Sequence, residues 1–173
     1  RGDLAWLRKA LPHWVGIGSG RMRLLLYEKC GEQGDAGNII PTVFVHVKDG
    51  PPGGRKDECS AYLTHLQHVA RVGSNAADAA YYTFFLQADA IHHSQPELLD
   101  MVLRAIQNGA LDVRFLHLSR ARMVAANSPC RRAIYAQVFG RAQTEMARGY
   151  CCAQFVVRQD AILERGAAAW ERA

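Results

Sequence analysis

The sequence contains no uninterrupted apolar run near the roughly 20 residues that a helix needs to cross a bilayer. It also lacks a P-loop, a dinucleotide-binding glycine pattern, a G-x-S-x-G elbow and an H-E-x-x-H motif, so it does not indicate the enzyme classes those motifs serve. Its five cysteines include no C-x-x-C pair, and no structural zinc site is expected. Their odd number argues against a fully oxidised framework, but one disulfide from Cys130 to Cys151 or Cys152 stays open.

The composition is that of an ordinary packed domain. The 173 residues are 49% hydrophobic, and a chain of this length buries roughly two-thirds of the surface that it exposes when unfolded. Lys and Arg number 21 against 16 Asp and Glu, which gives a net charge of +5. This mild basic balance suits a phosphate-bearing ligand, but a solvated basic surface also accounts for it. The arginines are scattered and few lie beside aromatic residues, so no binding of nucleic acid is expected.

Short apolar runs alternate with segments of helical periodicity along most of the chain, and no repeat or linker divides it. The pattern predicts one α/β domain over residues 1–173, with a mainly parallel or mixed sheet and helices on both faces. The predicted strands cover residues 23–27, 42–47, 81–87, 113–118 and 153–157. The predicted helices cover residues 3–11, 57–72, 94–109, 161–171 and a segment from residue 128 to just before Gly149.

The aromatic run at residues 81–87 is the clearest strand, and its lack of polar alternation predicts a central position in the sheet. Asp89 and His93 follow it, ahead of a helix for which Ser94 and Glu97 predict a capping box. Ligands bind outside the carboxyl ends of parallel strands. Asp89 can hold a divalent cation there, and His93 can complete the ligand set or act as a base.

A structural interpretation stands beside each functional one. Asp89 can instead cap the turn before the helix, and His93 can be an ordinary surface residue. Tyr62 lies in an apolar helical stripe and is predicted to belong to the core. His117 lies inside a predicted strand, where it is expected to be a satisfied core or edge residue.

Four segments together resemble the motifs of one family, in the same order. They are residues 24–29, similar to a strand ending in Tyr-Asn-Lys; residues 54–63, similar to Gly-Arg-Glu-x-x-x-Tyr-Leu; residues 85–93, similar to Phe-Leu-Gln-Gly-Asp-Pro-Phe-x-His; and residues 153–165, similar to a closing strand and helix. On these segments the chain resembles domain of unknown function 3431, an uncharacterised eukaryotic family that looks like a compact relative of nucleotide-sugar glycosyltransferases. Residues 3–7 match the segment after that family's first strand, which places that strand upstream of residue 1.

The resemblance implies a nucleotide-sugar ligand and a bound Mn²⁺ or Mg²⁺ ion that neutralises the diphosphate leaving group. Asp89 would bind the metal, with His93 as a further ligand. Lys29 and Arg55 would contact the phosphates. Glu58 would act as the base or organise the site, and His93 is the other candidate catalytic residue.

The chain also departs from the family pattern. Ala88 replaces Gly, Ala90 replaces Pro and Ile91 replaces Phe, and Asp89 has no neighbouring second carboxylate. These departures motivate an alternative, a non-catalytic structural subunit of a larger assembly that descends from such an enzyme. An active enzyme would be expected in the secretory pathway or Golgi lumen, and a structural subunit in a mitochondrion or plastid.

Overall fold

The computed structural model describes residues 4–17, 22–28, 41–47, 58–73, 81–88, 90–119, 122–124, 132–133, 135–137, 140–142, 148–150 and 154–172. In this part, the protein is a mixed α/β structure of helices and small sheets. The chain divides into two compact units. Unit 1 is Arg1–Ala61 with Leu86–Asp112, and unit 2 is Tyr62–Phe85 with Val113–Ala173. The predicted disulfide from Cys130 to Cys151 or Cys152 lies outside the described residues.

The described helices and strands follow the predicted order, with one short helix, at residues 90–93, and two strands that were not predicted. The helices are α1 (Ala5–Ile17), α2 (Glu58–Val72), α3 (Ala90–His93), α4 (Pro96–Gln107), α5 (Gln159–Arg165) and α6 (Ala167–Glu171). The strands are β1 (Leu24–Glu28), β2 (Thr42–His46), β3 (Tyr82–Phe85), β4 (Phe115–His117), β5 (Arg122–Val124), β6 (Arg148–Tyr150) and β7 (Phe155–Arg158). The short pair β5 and β6 was not predicted.

Unit 1 contains a parallel pair of strands and a pair of packed helices. β1 and β2 run parallel, with Leu24 opposite Thr42 and Glu28 opposite His46. α1 packs against α4. The buried side chains of these two helices are Leu7, Leu11, Trp14 and Ile17 of α1, and Leu99, Val102 and Leu103 of α4.

α1 is longer than predicted. The predicted helix ended at residue 11, the last of its evenly spaced apolar residues. Residue 12 is a proline, which lacks an amide hydrogen and whose ring crowds the carbonyl four residues earlier. The helix instead continues through Pro12 to Ile17. Burial of Trp14 and Ile17 extends the apolar stripe by one turn, and this burial outweighs the one missing backbone hydrogen bond.

The start of α4 differs from the predicted capping box. Gln95 is the N-cap residue, and its side chain makes no capping hydrogen bond. The hydroxyl of Ser94 donates instead to the carbonyl of Ala90, at 2.8 Å, and is buried. Pro96 opens the helix as predicted, since the first helical position needs no amide donor. Gly109 follows the helix with φ of +66°, a backbone conformation that favours glycine.

Unit 2 contains an antiparallel sheet in the order β3-β7-β4. Phe85 lies opposite Phe155 in one ladder, and His117 lies opposite Phe155 in the other. In the sheet that the described residues form, β7 is therefore central and β3 lies at an edge. The prediction of a central position for residues 81–87 was wrong on this point. The pairing in the protein is mixed rather than mainly parallel, because both ladders of β7 are antiparallel.

The core of unit 2 is an aromatic and aliphatic cluster between this sheet and α2. Phe85 stacks on Phe155 with ring centroids 4.7 Å apart, and Tyr62 meets both rings edge-on at 5.0 and 5.7 Å. Tyr62 is thus a core residue, as predicted. The other buried members of the cluster are Leu66, Val157 and Ile162.

The C-terminal helices are tied to α2. The predicted single helix over residues 161–171 is divided by Gly166, whose φ of +70° ends α5 before α6 begins. The Trp170 indole donates to the carbonyl of Ile162 at 3.0 Å, and the Gln67 amide donates to the Trp170 carbonyl at 2.9 Å. Arg71 pairs with Glu171 at 2.9 Å.

None of the helices in the described residues has the length and apolar character to cross a membrane.

We expect Phe85→Ala to lower the free energy of unfolding by about 3–5 kcal/mol, because Phe85 is 3% exposed and its loss leaves a cavity in the core. The matched control is Phe115→Ala, which removes the same side chain from a position that is 56% exposed and should cost less than about 1 kcal/mol. Urea unfolding measures both values. Equal losses in the two variants would contradict this account of the core.

The phenol of Tyr27 on β1 is half-buried, and burial raises its pKa to about 12, although the charge of Arg23 acts in the opposite direction. Unfolded tyrosines ionise near pH 10. Between about pH 10 and about pH 12 the folded protein therefore retains a proton that the unfolded chain has lost, and the free energy of unfolding falls as the pH rises. The fall should be about 1 kcal/mol smaller in Tyr27→Phe, because solvent that reaches the half-buried phenol reduces the effect of burial.

Urea unfolding at several alkaline pH values measures this difference. The control is Tyr81→Phe, which changes a 67% exposed phenol and should leave the pH dependence as in the unchanged protein. A Tyr27→Phe variant with the unchanged protein's slope would refute the effect of burial.

Candidate functional site

Unit 1 contains an open, mainly apolar groove of about 360 Å³. This volume lies within the range of pockets that bind small molecules. Most of its lining comes from one face of α1, and the rest comes from the chain after α3 and from α4. The lining residues are Trp6, Lys9, Ala10, His13 and Trp14 of α1, together with Ser94 and Leu99.

The spacing of residues on α1 explains this face. Side chains three or four positions apart lie on the same side of a helix. Trp6, Ala10 and His13 follow that spacing, as do Lys9 and His13. Packing of α1 on α4 places this face beside the buried Leu99, which forms an apolar floor. Lys9 and His13 make the rim polar.

Two indoles form the aromatic wall of the groove. The ring centroids of Trp6 and Trp14 are 6.0 Å apart, at an interplanar angle of 67°. The Trp6 indole N–H donates to the backbone carbonyl of Ala88. This contact fixes one wall of the groove to the segment after β3, at the residue that precedes Asp89 in the sequence.

His13 and Trp14, which line the groove, both contact the carboxylate of Asp100. Its Oδ2 lies 2.6 Å from Nε2 of His13, and its Oδ1 accepts a hydrogen bond of 2.9 Å from the Trp14 indole. The side chain of His13 is 53% exposed and that of Asp100 is 32% exposed, so solvent reaches the pair. Trp14 is buried, and its indole therefore holds the carboxylate in one orientation.

Of the site residues predicted from the sequence, His93 is described with its side chain. It is half-buried at the end of α3, and the next residue, Ser94, lines the groove. Glu58 is the first residue of α2, but its side chain lies outside the described part of the structure. Lys29, Arg55 and Asp89 also lie outside it, and their assignments stay predictions.

The described residues contain no group of three or more His, Cys, Asp or Glu side chains that could hold a metal ion. His117 lies within β4, and its Nδ1 accepts a hydrogen bond of 3.2 Å from the amide of Ser119. The predicted role of His117 as a satisfied strand residue is thereby confirmed.

Sequence reasoning selected none of the lining residues for the site, and it missed the contact of His13 and Trp14 with Asp100. His13 and Trp14 follow Pro12, beyond the predicted end of the helix. The signal that could have found them is the apolar spacing of Leu7, Leu11 and Trp14, which continues across the proline. Asp100 has no comparable signal, because it lies within a helix and not at the end of a strand, where ligand sites are expected.

Comparison of the chain with protein-family models, with curated proteins and with solved structures yields no match.

We expect Asp100→Ala to destabilise the protein more than His13→Ala, by about 1 kcal/mol. Both variants break the pair, but only Asp100→Ala also leaves the indole of the buried Trp14 without its acceptor. The coupling energy of His13 and Asp100 in a double-mutant cycle should stay below about 1 kcal/mol, because both side chains are exposed to solvent. Urea unfolding of the two single variants and the double variant supplies every value. A larger loss in His13→Ala would contradict the arrangement.

Proposed function

We propose that the chain is a glycosyltransferase-like domain that binds a nucleotide-sugar in the groove of unit 1, with a divalent cation at Asp89. The observation that carries the proposal is the hydrogen bond from Trp6 to the Ala88 carbonyl. It connects the groove to the segment in which the family resemblance predicts the metal and the diphosphate.

The chemistry of the groove suits a sugar or a nucleobase. Indole rings offer flat apolar faces to such ligands, and stacking of a base on an aromatic side chain is worth about 1–3 kcal/mol. Trp6 and Trp14 supply these rings. The ammonium group of Lys9 lies on the same helical face, where it can neutralise a phosphate.

The predicted metal ligands indicate which cation to expect. Asp89 would supply a carboxylate oxygen and His93 an imidazole nitrogen. Mg²⁺ strongly prefers oxygen ligands, so the use of His93 favours Mn²⁺. When bound, the cation would neutralise the charge on the departing diphosphate. Lys29 and Arg55 stay candidate phosphate contacts, and Glu58 stays a candidate base or organising residue.

The alternative function, a structural subunit of a larger assembly, is favoured by a different observation. Val43 and Phe44 are consecutive residues of β2, so their side chains point to opposite faces, yet they are 45% and 38% exposed. A strand with apolar side chains exposed on both faces suits a protein partner that covers it. This function predicts stoichiometric co-purification with a partner, and Val43→Thr with Phe44→Thr should abolish it.

Titration of UDP-sugars and GDP-sugars with Mn²⁺ tests the proposed ligand. We expect saturable, metal-dependent binding that Asp89→Ala weakens at least about 10-fold, as expected for the loss of a metal ligand. Chelation of the metal should cause the same loss. The matched control is Asp112→Ala, which removes the same side chain from an exposed position outside the groove.

Each part of the proposal can fail separately in this titration. Unchanged binding in Asp89→Ala would reject Asp89 as the metal ligand. Two results together would reject the groove as the binding site. Donor binding would be unchanged in Trp6→Ala, and adding the donor would not change the indole fluorescence. No binding of any donor, with or without Mn²⁺, would reject the function.

A further inference from the structure

We propose that His13 and Asp100 form a catalytic dyad in which His13 is the general base that deprotonates the acceptor hydroxyl group. The inference rests on the proposed function and assigns the base to a residue that the family resemblance does not indicate. It gives this role to His13 in place of Glu58 or His93.

The contact with Asp100 determines which nitrogen of His13 carries the hydrogen. An ionised carboxylate can only accept hydrogen bonds, and a neutral imidazole has one N–H group. Because Nε2 lies 2.6 Å from Asp100 Oδ2, the hydrogen is on Nε2. The lone pair of Nδ1 is therefore the group that can accept a proton from a ligand.

Asp100 is itself held in place. Its second oxygen accepts the hydrogen bond from Trp14, whose side chain is buried. The pair thus has the arrangement of a general base oriented by a carboxylate, which a third group positions in turn. His13 and Trp14 are on α1 and Asp100 is on α4, so packing of the two helices sets all three positions.

The surrounding groove gives the base a suitable location. His13 lines the groove directly, and its side chain is 53% exposed, so a ligand can reach it. Lys9 precedes it by one helical turn on the same face. A donor phosphate beside Lys9 would therefore lie within one turn of the base that activates the acceptor.

The step is a displacement at the anomeric carbon of the sugar. The proton of the acceptor hydroxyl passes to Nδ1 of His13, and the acceptor oxygen forms a bond to the anomeric carbon. The bond from that carbon to the diphosphate oxygen breaks, and its electron pair leaves with the diphosphate. The products are the glycoside and the nucleoside diphosphate. The imidazolium, stabilised by Asp100, then releases its proton to solvent.

Release of nucleoside diphosphate from UDP-sugars and GDP-sugars, with Mn²⁺ present and water or an added sugar as acceptor, tests this role. Loss of a general base should lower turnover by about 10²–10⁴-fold in His13→Gln, while the dissociation constant for the donor changes by less than about 3-fold. Asp100→Asn should lower turnover at least about 10-fold. Free imidazole should restore part of the activity of His13→Gly.

The matched control is His68→Gln, which changes an exposed histidine of α2 and should retain full turnover. If donor binds and His13→Gln turns over like the unchanged protein, the dyad is refuted and the proposed function stands. Donor binding without release of nucleoside diphosphate by the unchanged protein refutes it too. If no donor binds, the proposed function itself fails.

A second readout needs no substrate. Nitrogen chemical shifts of the imidazole should show His13 with its hydrogen on Nε2 in the unchanged protein. Substitution of Asp100 by Ala should shift the tautomer population towards Nδ1–H. A dominant Nδ1–H form in the unchanged protein would overturn the dyad, whatever the activity.

Discussion

The groove of unit 1 depends on one packing contact, that of α1 against α4. The apolar stripe of α1 is buried along its full length, including the turn after Pro12. That last turn carries Trp14 into the interior and brings its indole, with the neighbouring His13, to Asp100. Without the contact, nothing would hold the aromatic wall, the apolar floor and the His–Asp pair in fixed positions relative to one another.

Much of the secondary structure could be predicted because it depends on residues that are close together in the sequence. Apolar runs such as residues 42–47 became strands, and the helix over residues 57–72 was found within one residue of its start. The order of strands could not be predicted in the same way. β3 has the sequence of a central strand, since three of its four residues are aromatic. It nevertheless lies at an edge of the described sheet, and α2 and Phe155 supply its apolar surroundings.

Breaker residues were the other source of error. Pro12 and Gly166 have opposite effects. The proline lies inside a helix without ending it, whereas the glycine divides a segment that was predicted to be one helix. In both cases the local preference is worth only a few kcal/mol, and tertiary packing decides the outcome. Ser94 was read as a cap, but its hydroxyl turns to the carbonyl of Ala90 instead.

The candidate site was only partly visible in the sequence for the same reason. His93 was selected because it follows a strand, and Ser94 beside it does line the groove. His13 and Asp100 have no local pattern that joins them, since their relation exists only after two helices have packed. A motif search finds residues that are close in sequence, whereas this pair is close only in space.

The distance along the chain between the two halves of the groove has a consequence for folding. His13 and Asp100 are separated by 87 positions, and Trp6 and Ala88 by 82. Contacts of such long range form against the entropy of closing a large loop, and they slow folding relative to local contacts. During synthesis, α1 emerges long before its partner helix exists. Its apolar face, with two tryptophans, therefore stays exposed until the 87 positions that separate His13 from Asp100 have also left the ribosome.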